Sequence, residues 1–252
     1  DYGRDFHGLY SVAFAEGTNP WNERGVYTGV EIRPNRQWSM NAYFDRFRFP
    51  WLRYQVNAPS EGSDWLAQVN WRPSKKVELY ARMRRQDRAR NSAIDVDGIR
   101  PVVRVEQTNY RFNASYAVSS SVSLRTRFEV VDFQRGEAPR EHGFLMYQDI
   151  VHRPLSSPVE LTLRFALFET DSYDSRLYAF EQDLIGVYSI PPYSGRGMRW
   201  YGMVRVSAFR SMDLWLRYGA WIYQDRNSIG SSLQEIPGNV RSDIKAQLRW
   251  RF

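Results

Sequence analysis

The sequence contains no cysteine, so neither disulfides nor thiolate metal sites are open to it. It has three histidines, His7, His142 and His152, scattered along the chain, and its acidic residues are not clustered at ligand spacing. No metal and no cofactor is therefore expected. No window approaches eighteen consecutive apolar residues, which excludes a spanning helix but not spanning strands, because these alternate and average out as polar. A cationic start followed by an apolar core is also missing, so an export signal would have been removed or would lie upstream. Glycine-rich phosphate cradles are absent too: "YSGRG" (193 to 197) has two glycines but no following helix to supply amide donors.

What is present is aromatic and basic. The 252 residues are 42% hydrophobic and 15% aromatic, yet the mean hydropathy is -0.59 and the formal charge is +7. Such a balance suits nucleic acid, anionic headgroups or acidic solutes, and charge alone does not choose among them.

The dominant signal is period two. In "MDLWLRYGAWIYQ" (212 to 224), Leu214, Leu216, Tyr218, Ala220 and Ile222 oppose Asp213, Trp215, Arg217, Gly219, Trp221 and Tyr223. In "VELTLRFALF", Val159, Leu161, Leu163, Phe165 and Leu167 oppose Glu160, Thr162, Arg164, Ala166 and Phe168. The same division into an apolar and an ionic face holds around Val122 to Val130, Trp65 to Arg72, Val77 to Arg84 and Asn109 to Tyr116. Short turns at 33–37, 72–76, 117–121, 153–158 and 209–211 alternate with long polar connections at 48–62, 87–105, 134–142, 170–196 and 225–240, as in a meander with its tight turns at one end. Twelve strands are expected, near 6–15, 25–33, 37–47, 63–72, 76–86, 105–117, 121–133, 142–152, 158–169, 197–209, 211–224 and 241–252. The stretch 175 to 189 is strand-like, but as a spanning strand it would put the turn at 209–211 at the wrong end. It is read as a structured extension of a long loop.

A soluble Greek-key sandwich would hide the apolar face and wet the ionic one. Two features favour the reverse. Strands of this length cross a bilayer when tilted, and aromatics gather toward strand ends (Trp38, Phe44, Trp65, Trp71, Trp200, Tyr201, Trp250, Phe252), where an apolar ring body meets a wet edge. In hydrocarbon every backbone polar group must be paired, which leaves closed barrels as the way for strands to span. The fold class expected is thus an all-β, antiparallel, up-and-down transmembrane β-barrel of about twelve strands, one domain over 1–252, in the outer membrane of a diderm bacterium. The closing stretch "RSDIKAQLRWRF" (241 to 252), with Leu248, Trp250 and Phe252 on one face, looks like the terminal strand that the barrel-assembly machinery reads as a sorting signal.

Several stretches carry a closer resemblance: "RPNRQWSMNAYFDRFRFPWLRYQVNAPSEG" (33 to 62), "DWLAQVNWRPSKKVELYARMR" (64 to 84), "RFALFETDSYDSRLYAFEQDL" (164 to 184), "PPYSGRGMRWYGM" (191 to 203) and "DRNSIGSSLQEIPGN" (225 to 239). The chain resembles the C-terminal barrel region of envelope proteins of Bacteroidota-type bacteria identified as helix-hairpin-helix domain-containing proteins. In that family a small helix-hairpin-helix module, a fold that grips nucleic-acid backbone elsewhere, precedes the barrel. No such helical pair occurs in these residues. The resemblance therefore implies the C-terminal part of a longer chain, with twelve strands a minimum.

If the apolar side meets lipid, then Arg72, Arg82, Arg84, Arg111, Arg125, Arg127, Arg164, Arg205, Arg217, Lys245, Arg249 and Arg251 line the lumen, with Glu31, Asp45, Glu78, Glu129, Glu160 and Asp213 among them. In an open pore such a lining favours anionic solutes. In a packed barrel the same groups fill the interior as cross-strand ion pairs. The run "RMRRQDRARN" (82 to 91) is read as leaving a strand into a long loop, either as solvated charge or toward lipopolysaccharide phosphates, since arginine forks suit phosphate; no exposed aromatic platform accompanies it for single-stranded nucleic acid. Outer-membrane phospholipases and proteases pair a histidine with a nucleophile, and none of the three histidines belongs to such a constellation. The function expected is transport or envelope assembly, as a channel or a barrel subunit of a larger complex, with outer-membrane lipid, lipopolysaccharide and other envelope proteins as partners. Nucleic-acid uptake is the rival, a hydrolase comes third, and no catalytic residue is named.

Overall fold

The computed structural model describes residues 3, 15–17, 21–209 and 211–252. Fifteen strands follow one another: β1 (Arg24–Ile32), β2 (Trp38–Phe49), β3 (Ser60–Ser74), β4 (Val77–Asn91), β5 (Val102–Ala117), β6 (Val122–Arg135), β7 (Glu141–His152), β8 (Val159–Thr170), β9 (Leu177–Tyr178), β10 (Pro192–Tyr193), β11 (Arg196–Phe209), β12 (Met212–Tyr223), β13 (Ser228–Ile229), β14 (Ile236–Pro237) and β15 (Val240–Trp250). One 3₁₀ turn, Ser232–Gln234, is the only helical element among the described residues. The eleven long strands hydrogen-bond in chain order, β1 to β8, then β11, β12 and β15. This is the all-β, antiparallel, up-and-down architecture that the alternation predicts. The expected strand at 6–15 falls, but for residue 15, outside the described residues.

The strands run further into the long connections than expected. β3 begins at Ser60 rather than 63, β4 continues to Asn91 rather than 86, and β5 begins at Val102 rather than 105. "RMRRQDRARN" is thus strand, not the start of a loop. A ladder needs only backbone partners, so it continues where its outer side chains turn from apolar to charged.

The chain divides into two compact units: residues 1–70, 81–110 and 132–141 form unit 1, and residues 71–80, 111–131 and 142–252 form unit 2. In unit 2, β8, β11, β12 and β15 pair without a break except for one irregularity between Val206 and Phe209 in the β11–β12 ladder. Its two faces settle the orientation. Leu214, Leu216 and Leu248 are 43%, 47% and 58% exposed, whereas Trp215 and Arg217, between them in sequence, are 4% and 1% exposed. Leu163, Phe165, Leu167, Met146, Ile150 and Phe128 are exposed in the same way. An apolar face of this extent does not belong in water. In hydrocarbon it is the outward band of a spanning sheet.

The buried face of unit 2 is aromatic as well as ionic. Val131, Leu145, Tyr147, Ala166, Phe168, Leu177, Ala179, Tyr193 and Trp221 make one core. Phe168 lies edge-on to Tyr193, Trp221 and Tyr223 at 5.6 to 5.8 Å between ring centroids, the geometry that ring quadrupoles favour. In unit 1, β1 pairs with β2 from Arg24↔Arg48 to Ile32↔Met40. Val26, Val30, Ile32, Met40 and Phe44 form its exposed face, and Phe47 and Phe49 are buried behind it.

Candidate functional site

The segment between β8 and β11, residues 171 to 191, lies against the buried face of unit 2. Beyond Asp171, whose amide donates to the His142 carbonyl of β7, it pairs with no long strand, so its carbonyls need other donors, and long side chains reach up from the sheet to supply them. Arg127 of β6 donates to the Tyr178 carbonyl at 3.0 Å, Arg164 of β8 to Phe180 at 2.7 Å, and Arg217 of β12 to Gln182 at 3.3 Å. On β15, Gln247 brackets Ile185, donating to its carbonyl at 3.1 Å and accepting from its amide at 2.8 Å. The Gln182 amide donates to the Tyr201 hydroxyl at 3.1 Å. Three alternate carbonyls, 178, 180 and 182, thus meet arginines from three different strands.

Carboxylates of the same segment complete the arrangement. Glu181 accepts from Arg217 at 2.6 Å, from Arg199 through both oxygens at 3.2 Å, and from the Tyr193 hydroxyl at 2.8 Å. Asp243 of β15 joins the same two guanidiniums at 3.3 and 3.0 Å. Asp183 takes Lys245 at 2.5 Å. Burial by itself would raise the Glu181 carboxyl, but Arg199, Tyr193 and Arg217 outweigh it and hold the group below its ordinary value of 4.5. The Tyr193 hydroxyl is pushed well above 10 by burial and by the Glu181 charge it faces.

Two glycines make room. A Cβ on Gly143 of β7 would stand 2.2 Å from the Ser175 carbonyl oxygen, and one on Gly219 of β12 would stand 2.7 Å from the Arg199 guanidinium. The first lets the inserted segment approach the wall, and the second lets Arg199 lie flat along it.

Of the twelve basic residues expected on the inner face, nine, Arg84, Arg111, Arg127, Arg164, Arg205, Arg217, Lys245, Arg249 and Arg251, meet carboxylates there. Arg164 holds Asp149 bidentately at 2.5 and 2.7 Å while stacking 3.9 Å from the Tyr147 ring centre. Arg111 holds Glu129 at 2.8 and 2.9 Å, and Arg127 meets the same carboxylate. Arg205 bridges Glu160 at 2.6 Å and Asp213 at 3.0 Å, and Arg249 and Arg251 also meet Asp213. In unit 1, Arg84 grips Asp64, which also accepts from Gln86 and Tyr43. Arg82 is half-buried.

Three of the expected lining residues, Arg72, Arg125 and Arg251, are exposed to solvent. Arg72 is paired with Glu78 at 3.0 Å. They share the inward parity but stand at strand ends near tight turns, where the face opens to solvent. Leu248, Trp250 and Phe252 are all on the exposed face.

Sequence reasoning missed Arg199, Glu181, Asp183 and Asp149. Arg199 was within reach of the alternation, six residues before Arg205 on the same side of β11. Glu181 and Asp183 were not, because nothing in a polar connection announces that it turns inward. Space remains near the tight turns, as open vestibules of about 510 Å³ beside Arg72, Arg125 and Arg153 and about 470 Å³ beside Arg153, Arg205 and Arg249.

No family model and no curated protein matches the sequence. Among solved structures the chain is similar to CdiB from Acinetobacter baumannii, at 10% identity and a TM-score of 0.47 over 91% of this chain and 44% of that one. It is also similar to the copper transporter OprC, at 10% identity and 0.48 over 90% and 41%. A third is the translocator domain of the autotransporter NalP from Neisseria meningitidis, at 12% identity and 0.28 over 91% and 80%. The chain spans less than half the length of the first two. All three are outer-membrane β-barrels, and this chain, by its own strand order and its exposed apolar face, is of that fold class.

Proposed function

We propose that the chain is an integral outer-membrane β-barrel with a transport role, as a channel or a channel-forming subunit of an envelope complex, and that residues 171 to 191 close the path through unit 2. The observation that carries this reading is the capping of the segment's carbonyls by Arg127, Arg164 and Arg217. These residues spend their hydrogen bonds on an insert rather than on a bare wall. An interior built only to be filled has no need of a separate extended segment held by side chains. A gate does.

Charge supports the same reading. With the segment seated, Glu181 and Asp183 neutralise Arg199, Arg217 and Lys245. With the segment gone, those cations would face the path and select anions. Replacing residues 172–190 by a short glycine-serine linker is therefore expected to raise single-channel conductance in planar bilayers severalfold and to make the current anion-selective. Gly143→Ala, which crowds Ser175, is expected to do so in part. Unchanged conductance on linker replacement, with the barrel folded, would show that the segment is only filler.

The run 82–91 gives the nucleic-acid reading little support. Arg84 meets Asp64, Arg85 meets Glu106, Arg88 meets Glu16 and Arg90 meets Gln55, so its arginines are engaged within the protein. For a hydrolase, His142 and His152 stand at opposite ends of β7.

A further inference from the structure

The exposed face of unit 1 changes character along its strands. On β2, Met40 and Phe44 are followed on the same side by Arg46 and Arg48. On β1 the partner of Arg48 is Arg24, and the partner of Arg46 is Val26. On β3, Val69 and Trp65 give way to Glu61; on β4, Met83 to Arg85 and Asp87; on β5, Tyr110 to Glu106 and Arg104. Alternate residues of a strand are about 7 Å apart, so the charges begin within a headgroup's depth of the last apolar ring.

The belt carries Arg24, Arg46, Arg48, Arg85 and Arg104 with Glu61, Asp87, Glu106 and, on β6, Asp132. Arg104 meets both Asp87 and Glu106, Arg85 meets Glu106 at 2.9 Å, and Arg46 is 3.4 Å from Glu61. Arg24 and Arg48 face each other across the ladder, and like charges directly opposite repel. Beside them an open cleft of about 780 Å³ is lined by Phe44, Arg46, Arg48, Asp87 and Arg104. On the corresponding face of unit 2, Glu169 and Arg196 are register partners at 3.8 Å and cancel.

From this contrast we infer that the exposed face of unit 1 binds the phosphorylated headgroup of an outer-leaflet glycolipid, with Arg46 and Arg48 on the phosphate and Phe44, Val26 and Met40 under the acyl chains. A free phosphate would satisfy the arginines but leave the apolar residues below them unused, whereas one molecule with an anionic head and hydrocarbon tails matches both. Guanidinium forks suit phosphate bidentately. The inference rests on the outer-membrane reading above, since only a bilayer would bring that face a lipid.

The test uses the full chain folded in detergent and reconstituted in phosphatidylethanolamine vesicles containing either bis-phosphorylated lipid A or its dephosphorylated form. Folding is monitored by heat-modifiable electrophoretic mobility, and bound lipid by native mass spectrometry. We expect retention of the phosphorylated form only, a loss of at least tenfold in the Arg46→Gln, Arg48→Gln double variant, partial retention with lysine at both positions, and no change in Arg196→Gln. Inorganic phosphate at millimolar concentration should not displace the lipid. Equal retention of dephosphorylated lipid, no effect of the double variant, or full displacement by phosphate would each overturn the site. Failure of the wild-type chain to insert at all would instead sink the outer-membrane reading, and is distinguished by its unshifted electrophoretic mobility.

Discussion

The two units use the same chemistry in opposite settings. In unit 2 the Arg199–Glu181 pair has both side chains 2% exposed, whereas in unit 1 Arg46 and Glu61 are 65% and 66% exposed. The buried pairs have lost their water and depend on one another for hydrogen bonding, so removing one member strands the rest. The exposed pairs keep their water and contribute little. What differs is the face: the first pair stands on the inner face of unit 2, which the inserted segment covers and supplies with carboxylates, and the second on the outward face of unit 1.

The sharpest way to break this contrast is to delete one carboxylate from each unit. Glu181→Ala leaves the buried Arg199 with Asp243 and the buried Arg217 with Asp243 and the more distant Asp183, and is expected to cost about 3–5 kcal/mol, read as a shift in urea unfolding of the detergent-folded protein. Glu61→Ala should cost under about 1 kcal/mol. Replacing Glu181, Arg199 and Arg217 together by leucine and methionines should recover most of the loss. Equal costs for the two single variants would mean that the inner face of unit 2 is wet.

The second expectation concerns depth. Leu216→Arg, in the middle of the exposed face of β12, is expected to cost about 2–4 kcal/mol, and Val26→Arg, level with Arg46, about 0–1 kcal/mol. Matching values from the same unfolding measurement would remove the apolar band from the account.

The smallest effect, and the one with opposite signs in the two units, is on pH dependence. Glu181 is held below 4.5 in the folded protein, so it contributes stability above its unfolded value, and that contribution is lost as pH falls through the lowered folded value. In unit 1, burial raises Glu16 above 4.5 against the pull of Arg88, and raises Glu23 above 4.5 against the hydrogen bond its carboxylate accepts from the Glu16 amide. Their contribution is present below the ordinary value and lost as pH rises through the raised one. Hydrogen exchange corrected for intrinsic chemistry should show residues 177–185 loosening below pH 4.5 and the amides around Glu23 tightening as pH falls toward that value from neutrality. The same sign in both places would contradict the assignment.

Much of the fold was legible because period two is a local property. Leu214, Leu216 and Leu248 declare their face without knowledge of any partner. Arg164 and Arg217 could be placed inside for the same reason, and Arg199 could have been. The extent of β4 was not legible, because a run of arginines resembles a loop when hydrophobicity is the only guide, while its side chains go on alternating between Asp64 on one side and Glu106 on the other. The inserted segment was legible as a structured extension of a long loop and not a spanning strand, but its inward turn was not. Its strand-like pattern was visible, but its anchors are side chains up to 62 residues away, as with Lys245 to Asp183.

Hydrocarbon, not water, meets the leucines of the exposed face. With no native cysteine in the chain, single cysteines at 214, 216 and 248, and at 215 and 213 for comparison, can each carry a spin label in reconstituted vesicles. Lipid-soluble oxygen is expected to collide freely with labels at 214, 216 and 248 and a polar nickel chelate is not, with labels at 213 and 215 shielded from oxygen. Labels at 214, 216 and 248 that meet the nickel chelate as readily as oxygen, or that meet neither, would contradict it.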